Sequence, residues 1–126
     1  PMLGAGMYRR SAHAKTLPHA WQVHVPRAMP LLICAATDAP DHANEPATMT
    51  IRLEKNSSSL CEAESKSRTN YAVLHSRTLA PGVYTLYIDG MLKAPFSSLD
   101  VDVFGSQPVS LTVCDIAPHI RIHSSS

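Results

Sequence analysis

The stretch LAPGVYTLYIDG, residues 79–90, followed closely by FSSLDVDVFG, residues 96–105, decides the fold. Pro81-Gly82 sets a turn, because proline fixes φ for the first corner position and glycine relaxes the second. Beyond it Tyr84, Leu86 and Ile88 fall on one face of a strand, and in the second stretch Leu99, Val101 and Val103 alternate with Asp100 and Asp102. A period of two with one apolar and one polar face is the pattern of a half-buried antiparallel strand. The same alternation recurs outward from this pair. Trp21, Val23 and Val25 oppose Gln22 and His24, with the tryptophan in or near the core; Met49, Ile51 and Leu53 oppose Thr50 and Arg52. Val109, Leu111 and Val113 repeat it after Pro108, and Ile120 and Ile122 alternate with His119, Arg121 and His123. Residues 31–36 are apolar on both faces, as expected of a central strand covered from two sides. Residues 71–79 alternate less regularly, yet their β-branched and aromatic content favours a strand. The count of about eight strands, with no segment patterned as a helix of three turns, predicts an all-β antiparallel β-sandwich.

The remaining segments read as connections. Residues 1–19 have no sustained period and are expected to be a flexible lead-in with Arg9, Arg10 and Lys15 exposed. Residues 37–47 concentrate Pro, Asp and Asn, a loop composition. Residues 55–69 are a long polar connection, with a short helical turn expected around 60–65. A single sandwich domain over 20–123, with a tail at 124–126, accounts for the chain.

At 126 residues and 13.7 kDa the chain can close one hydrophobic core without metal or disulfides. It is 44% hydrophobic and 17% charged, a globular rather than a disordered composition. Eleven basic residues against ten acidic ones leave a formal charge of +1, so long-range attraction has little to draw nucleic acid with. Cys34, Cys61 and Cys114 are odd in number and lack a C-x-x-C spacing, which predicts free thiols and an intracellular, cytoplasmic setting. There is no run of some 18 apolar residues and no charged-then-apolar leader. Pro1 is not an initiating residue, so a piece of a longer polypeptide is expected.

Two sandwich families share a Pro-Gly turn followed by tyrosine. A fibronectin type III domain has two residues between the glycine and the tyrosine; here only Val83 separates Gly82 from Tyr84. This one-residue spacing resembles domain III of the calpain-like cysteine peptidases, through Leu79, Pro81, Gly82 and Tyr84 and then Phe96, Leu99, Val101, Val103 and Phe104. One extra residue follows Phe96, and an additional Asp-Val step precedes Phe104. The resemblance extends over residues 21–115 and implies a jelly-roll-like sandwich that regulates or positions a papain-like catalytic domain elsewhere in the polypeptide. It also implies calcium and phospholipid as ligands, bound through acidic loops.

Candidate chemistry is sparse. Cys34 and Cys114 have apolar strand neighbours, the setting of structural thiols, and Glu62 and Glu64 beside Cys61 disfavour a thiolate. His119 and His123 lie about 13 Å apart along one strand, too far to share an ion, with Arg121 between them and His24 elsewhere in the sandwich. The calcium candidates are Asp100 and Asp102, about 6.7 Å apart on one strand face, and the loop acids Asp38, Asp41 and Glu45. Neither set has EF-hand spacing. Arg9, Arg10 and Lys15 are suited to acidic lipid or to a partner domain, and equally to an unstructured connector.

These readings converge on a non-catalytic regulatory or interaction domain, with no catalytic residue and no cofactor beyond calcium. Its partner would be a protease-like domain of the same polypeptide or another protein, with membrane lipid a weaker candidate and nucleic acid excluded. A free-standing sandwich module recognising carbohydrate or peptide is the alternative.

Overall fold

The computed structural model describes residues 7–39, 48–55, 61–92 and 96–114. Its elements are strands: β1 (Tyr8–Ala14), β2 (His19–Val25), β3 (Leu32–Thr37), β4 (Thr48–Lys55), β5 (Cys61–Ser67), β6 (Tyr71–His75), β7 (Gly82–Met91), β8 (Leu99–Gly105) and β9 (Ser110–Val113). They form a four-stranded sheet in the order β1-β8-β3-β6 and a five-stranded sheet in the order β5-β4-β7-β2-β9, with every pair antiparallel. The architecture is an antiparallel β-sandwich. Its pairing is nested: β1 with β8, β2 with β7, β3 with β6 and β4 with β5. A long hairpin folded over on itself in this way is the order of a jelly roll, here with β9 added beside β2.

The alternation read from sequence places the core. Tyr84, Leu86 and Ile88 of β7 point inward against Leu99, Val101 and Val103 of β8, and all six are buried. Trp21 and Val23 of β2 and Ile51 and Leu53 of β4 fill the same layer. The two strands of the deciding stretch are consecutive in sequence but are not partners: β7 lies in the five-stranded sheet and β8 in the four-stranded one. Leu79 anchors the corner before β7. It is buried and exchanges main-chain hydrogen bonds with Met29 at 3.1 and 2.9 Å. Gly82 has φ of +148°, a conformation that an L side chain rarely adopts, so glycine is required there. At Gly90 an added Cβ would collide with the carbonyl oxygen of Thr48 on β4, so glycine lets the two strands stay in contact.

Three sequence expectations change. Within the segment expected to be a flexible lead-in, Tyr8–Ala14 is a strand, paired along its length with β8. It lacks an apolar period because it is an edge strand with only Ala14 buried. Within the polar connection, Cys61–Ser67 is a strand and not a helical turn; Ala63, Ser65 and Ser67 are half-buried while Glu64 and Lys66 are exposed. Small inward residues at the sandwich edge conceal the period. In β9 the alternation is weaker than expected, since Leu111 packs against the core while Val113 is exposed. The strand expected around residues 119–123 lies outside the described residues.

Candidate functional site

The outward face of the four-stranded sheet gathers four of the residues singled out by sequence, Arg9, Cys34, Asp100 and Asp102. Register sets three rows across it. Arg9, Phe104, Leu32 and His75 form the first, Ser11, Asp102, Cys34 and Val73 the second, and His13, Asp100, Ala36 and Tyr71 the third. One side of this face is polar and internally matched. Asp102 accepts hydrogen bonds from Arg9 Nε at 3.0 Å and from the Ser11 hydroxyl at 2.5 Å, and His13 Nδ1 lies 2.5 Å from Asp100 Oδ1. The pair of aspartates offered for calcium is therefore occupied by a cation, a hydroxyl and an imidazole of β1. Arg9, Arg10 and Lys15 are exposed as expected, but Arg9 is engaged by Asp102.

The other side is apolar. Leu32, Cys34 and Ala36 of β3, all half-buried, lie between Phe104 of β8 and the exposed Tyr71 and Val73 of β6. The six apolar positions Phe104, Leu32, Cys34, Ala36, Tyr71 and Val73, at about 6.7 Å by 4.8 Å each, make a patch of about 190 Å². A patch of this size is smaller than the largest apolar patch of a typical monomer, about 300–600 Å². The two apolar faces of residues 31–36 predict cover from both sides. Among the described residues only its inner side is covered. Burial, reinforced by the Asp102 carboxylate beside it, pushes the Cys34 thiol up, opposite to the shift a nucleophile needs.

Asp38 lies apart, at the end of β3. Its carboxylate accepts from the backbone N–H groups of Ser97 at 2.8 Å and Ser98 at 3.1 Å and from the Ser97 hydroxyl. The Ser97 hydroxyl, then the two backbone donors, hold its carboxyl below the ordinary range. Asp38 thus fastens the approach to β8 onto the end of β3. The other loop acids, Asp41 and Glu45, lie outside the described residues, as do His119 and His123. Cys61 begins β5, and Cys114 follows β9, half-buried, with its N–H donating to the Ala20 carbonyl at 3.1 Å. His24 is exposed on β2. Among the described residues no three His, Cys, Asp or Glu side chains are placed to hold one metal ion, and no helix is long and apolar enough to cross a membrane.

One cluster was missed by sequence. On the outward face of the five-stranded sheet, Arg52 Nε contacts Glu54 Oε2 at 2.9 Å, with the Glu54 side chain almost covered. Tyr87 pairs with Arg52 across β4 and β7; burial, and then the Glu54 carboxylate, raise its pKa. The signal was present in Arg52-Leu53-Glu54, where a period of two puts both charges on one face. Their burial depends on neighbouring strands and was not legible.

No protein-family model matches this chain, and no curated protein matches it.

Proposed function

We propose that this chain is a non-catalytic regulatory or interaction domain, as domain III is in calpain-like cysteine peptidases, and that it docks a protease-like domain through the outer face of its four-stranded sheet. The observation that carries this reading is the apolar row Leu32, Cys34 and Ala36, flanked by Tyr71, Val73 and Phe104, turned to solvent beside a row of β1 and β8 side chains that pair with one another. Burying such a surface is favourable by about 25 cal/mol per Å², and about 190 Å² on each side is well below the area of a standard stable interface, so it supports a weak, regulable association rather than a permanent one. The reading also fits the chemistry of the remaining groups: Asp38, Asp100 and Asp102 are committed to protein donors, and Cys34 is held as a thiol.

The test is an NMR titration of the isotope-labelled chain with a papain-like catalytic domain of the calpain type. Shift changes confined to the amides of Leu32, Cys34, Ala36, Tyr71, Val73 and Phe104, lost in Val73→Lys, support the proposal. A saturating titration that leaves those amides unmoved, or moves only the five-stranded sheet, rejects it. Shifts on the same face with a soluble oligosaccharide, and none with the catalytic domain, would favour the free-standing recognition module, for which Tyr71 and Phe104 supply aromatic surfaces.

A further inference from the structure

Among the described residues β6 is an edge of the four-stranded sheet and is hydrogen-bonded to β3 alone. The phase of that ladder follows from its two ends. Ser76 N–H donates to Leu31 O at 2.9 Å and Thr37 N–H donates to Asn70 O at 3.0 Å, both in register with the ladder. In an antiparallel pair, hydrogen-bonded and non-hydrogen-bonded positions alternate. Leu74 and Ala72 are thus bonded to β3, whereas the main-chain groups of Tyr71, Val73 and His75 point to the open edge. Tyr71 is closed off locally: its N–H donates to Thr69 Oγ1 at 3.2 Å, and its carbonyl accepts from the hydroxyls of Thr69, at 2.8 Å, and Ser67. Val73 and His75 have no such clasp among the described residues.

The other edges carry features that discourage pairing. β1 has Arg9 and Arg10, β5 has Glu64 and Lys66, and β9 is only four residues long. β6 reads Tyr-Ala-Val-Leu-His, with no lysine, no proline and no bulge. A flat, apolar edge of this kind is a template for another strand.

We propose that β6 pairs antiparallel with β6 of a second copy of this chain, about a two-fold axis at Leu74. In that register Val73 faces His75 of the other copy and exchanges both main-chain hydrogen bonds with it, and symmetry repeats the pair. Tyr71, 51% exposed, then faces Arg77 of the other copy, whose side chain is 79% exposed and lies 3.7 Å from Glu62 of its own copy, leaving the guanidinium face for a cation–π contact. No like charges are directly opposed, which is the electrostatic condition for a self-complementary edge. The product is a continuous sheet of eight strands whose apolar outward faces adjoin. The contact is an edge, and small interfaces are weak, so a dissociation constant of about 10 μM to 1 mM is expected. The inference concerns the edge of the sheet and is independent of what docks on its face.

Sedimentation velocity on the whole chain from about 1 μM to 1 mM, together with amide hydrogen exchange at both extremes, tests it. The expected result is a rise toward the dimer with concentration, and exchange at Val73 and His75 slowed by about fivefold or more. Val73→Pro removes an N–H aimed at the edge and not at β3, a position where an edge strand tolerates proline. Its thermal midpoint should stay near that of the parent while association weakens by about tenfold or more. If that variant does not fold, Arg77→Ala leaves the β6 backbone intact and should weaken association severalfold. A chain that stays monomeric over the range overturns the proposal. So does a dimer in which Val73 and His75 exchange at unchanged rates, or a folded Val73→Pro that dimerises as the parent does.

Discussion

Tyr84 shows how one side chain joins sequence signature to tertiary structure. It is buried, and its hydroxyl donates to the Ala80 carbonyl at 2.6 Å, spanning the Pro81-Gly82 turn. This is the bond of a tyrosine corner, a device of Greek-key sandwiches. Burial, and then the Glu62 carboxylate, raise its pKa above the ordinary 10.0. A group with its folded-state pKa raised contributes stability that is complete below the unfolded value and is lost as pH climbs through the folded one. The alkaline limb of the stability profile, beginning near pH 10, therefore carries a Tyr84 component. Tyr84→Phe should lower stability at neutral pH by about 1 kcal/mol, the net value of one hydrogen bond. In urea unfolding followed from neutral pH to pH 11, it should also fall less steeply than the parent, with Tyr87 and Cys34, both raised as well, contributing slope of their own. An alkaline limb identical to the parent's would remove Tyr84 from this role. The one-residue gap between Gly82 and Tyr84 was legible as a family-like spacing. What the spacing does is visible only once the hydroxyl meets Ala80.

Among the elements, β1 and β5 mark the limit of pattern reading. Both lie at sheet edges, where a strand needs few apolar residues because little of it is buried. β1 is specified by its partner: Arg9 and Ser11 answer Asp102, and His13 answers Asp100. Those aspartates read in sequence as a possible calcium pair because nothing in the order of residues brings positions 9–13 beside positions 100–102. A chain lacking residues 1–14 should still fold, since among the described residues the core loses only Ala14 and the half-buried Ala12. It should lose about 1–3 kcal/mol of stability through the missing ladder hydrogen bonds. Urea unfolding measures that loss, and amide exchange should show the β8 groups that faced β1 opening first. A truncated chain of undiminished stability would mean that β1 is not held in this register. β3 is the opposite case: its two apolar faces were legible and correctly marked a central strand, but the cover inferred for its second face is not present among the described residues.

For the molecule as a whole, the nested pairing joins the first strand to the eighth and the second to the seventh. Contacts so distant along the chain require large loops to close before they return any stabilisation, so folding is slow for a domain of this size. Refolding followed through Trp21, which is 2% exposed in the native sandwich, should take from about 10 milliseconds to seconds. Refolding in microseconds would be inconsistent with this topology. The sequence by itself determined the all-β class, the inward sets of β2, β4, β7 and β8 and the Pro-Gly corner, because a strand's period of two and a turn's torsions are local properties written in adjacent residues. Only the tertiary structure decided that the two strands of residues 79–105 belong to different sheets, that Asp100 and Asp102 are paired to β1, that Glu54 is covered and that, among the described residues, no further strand pairs with the edge of β6. Each of these depends on which strand lies beside which, and that choice is made by long-range pairing, to which a local period is indifferent.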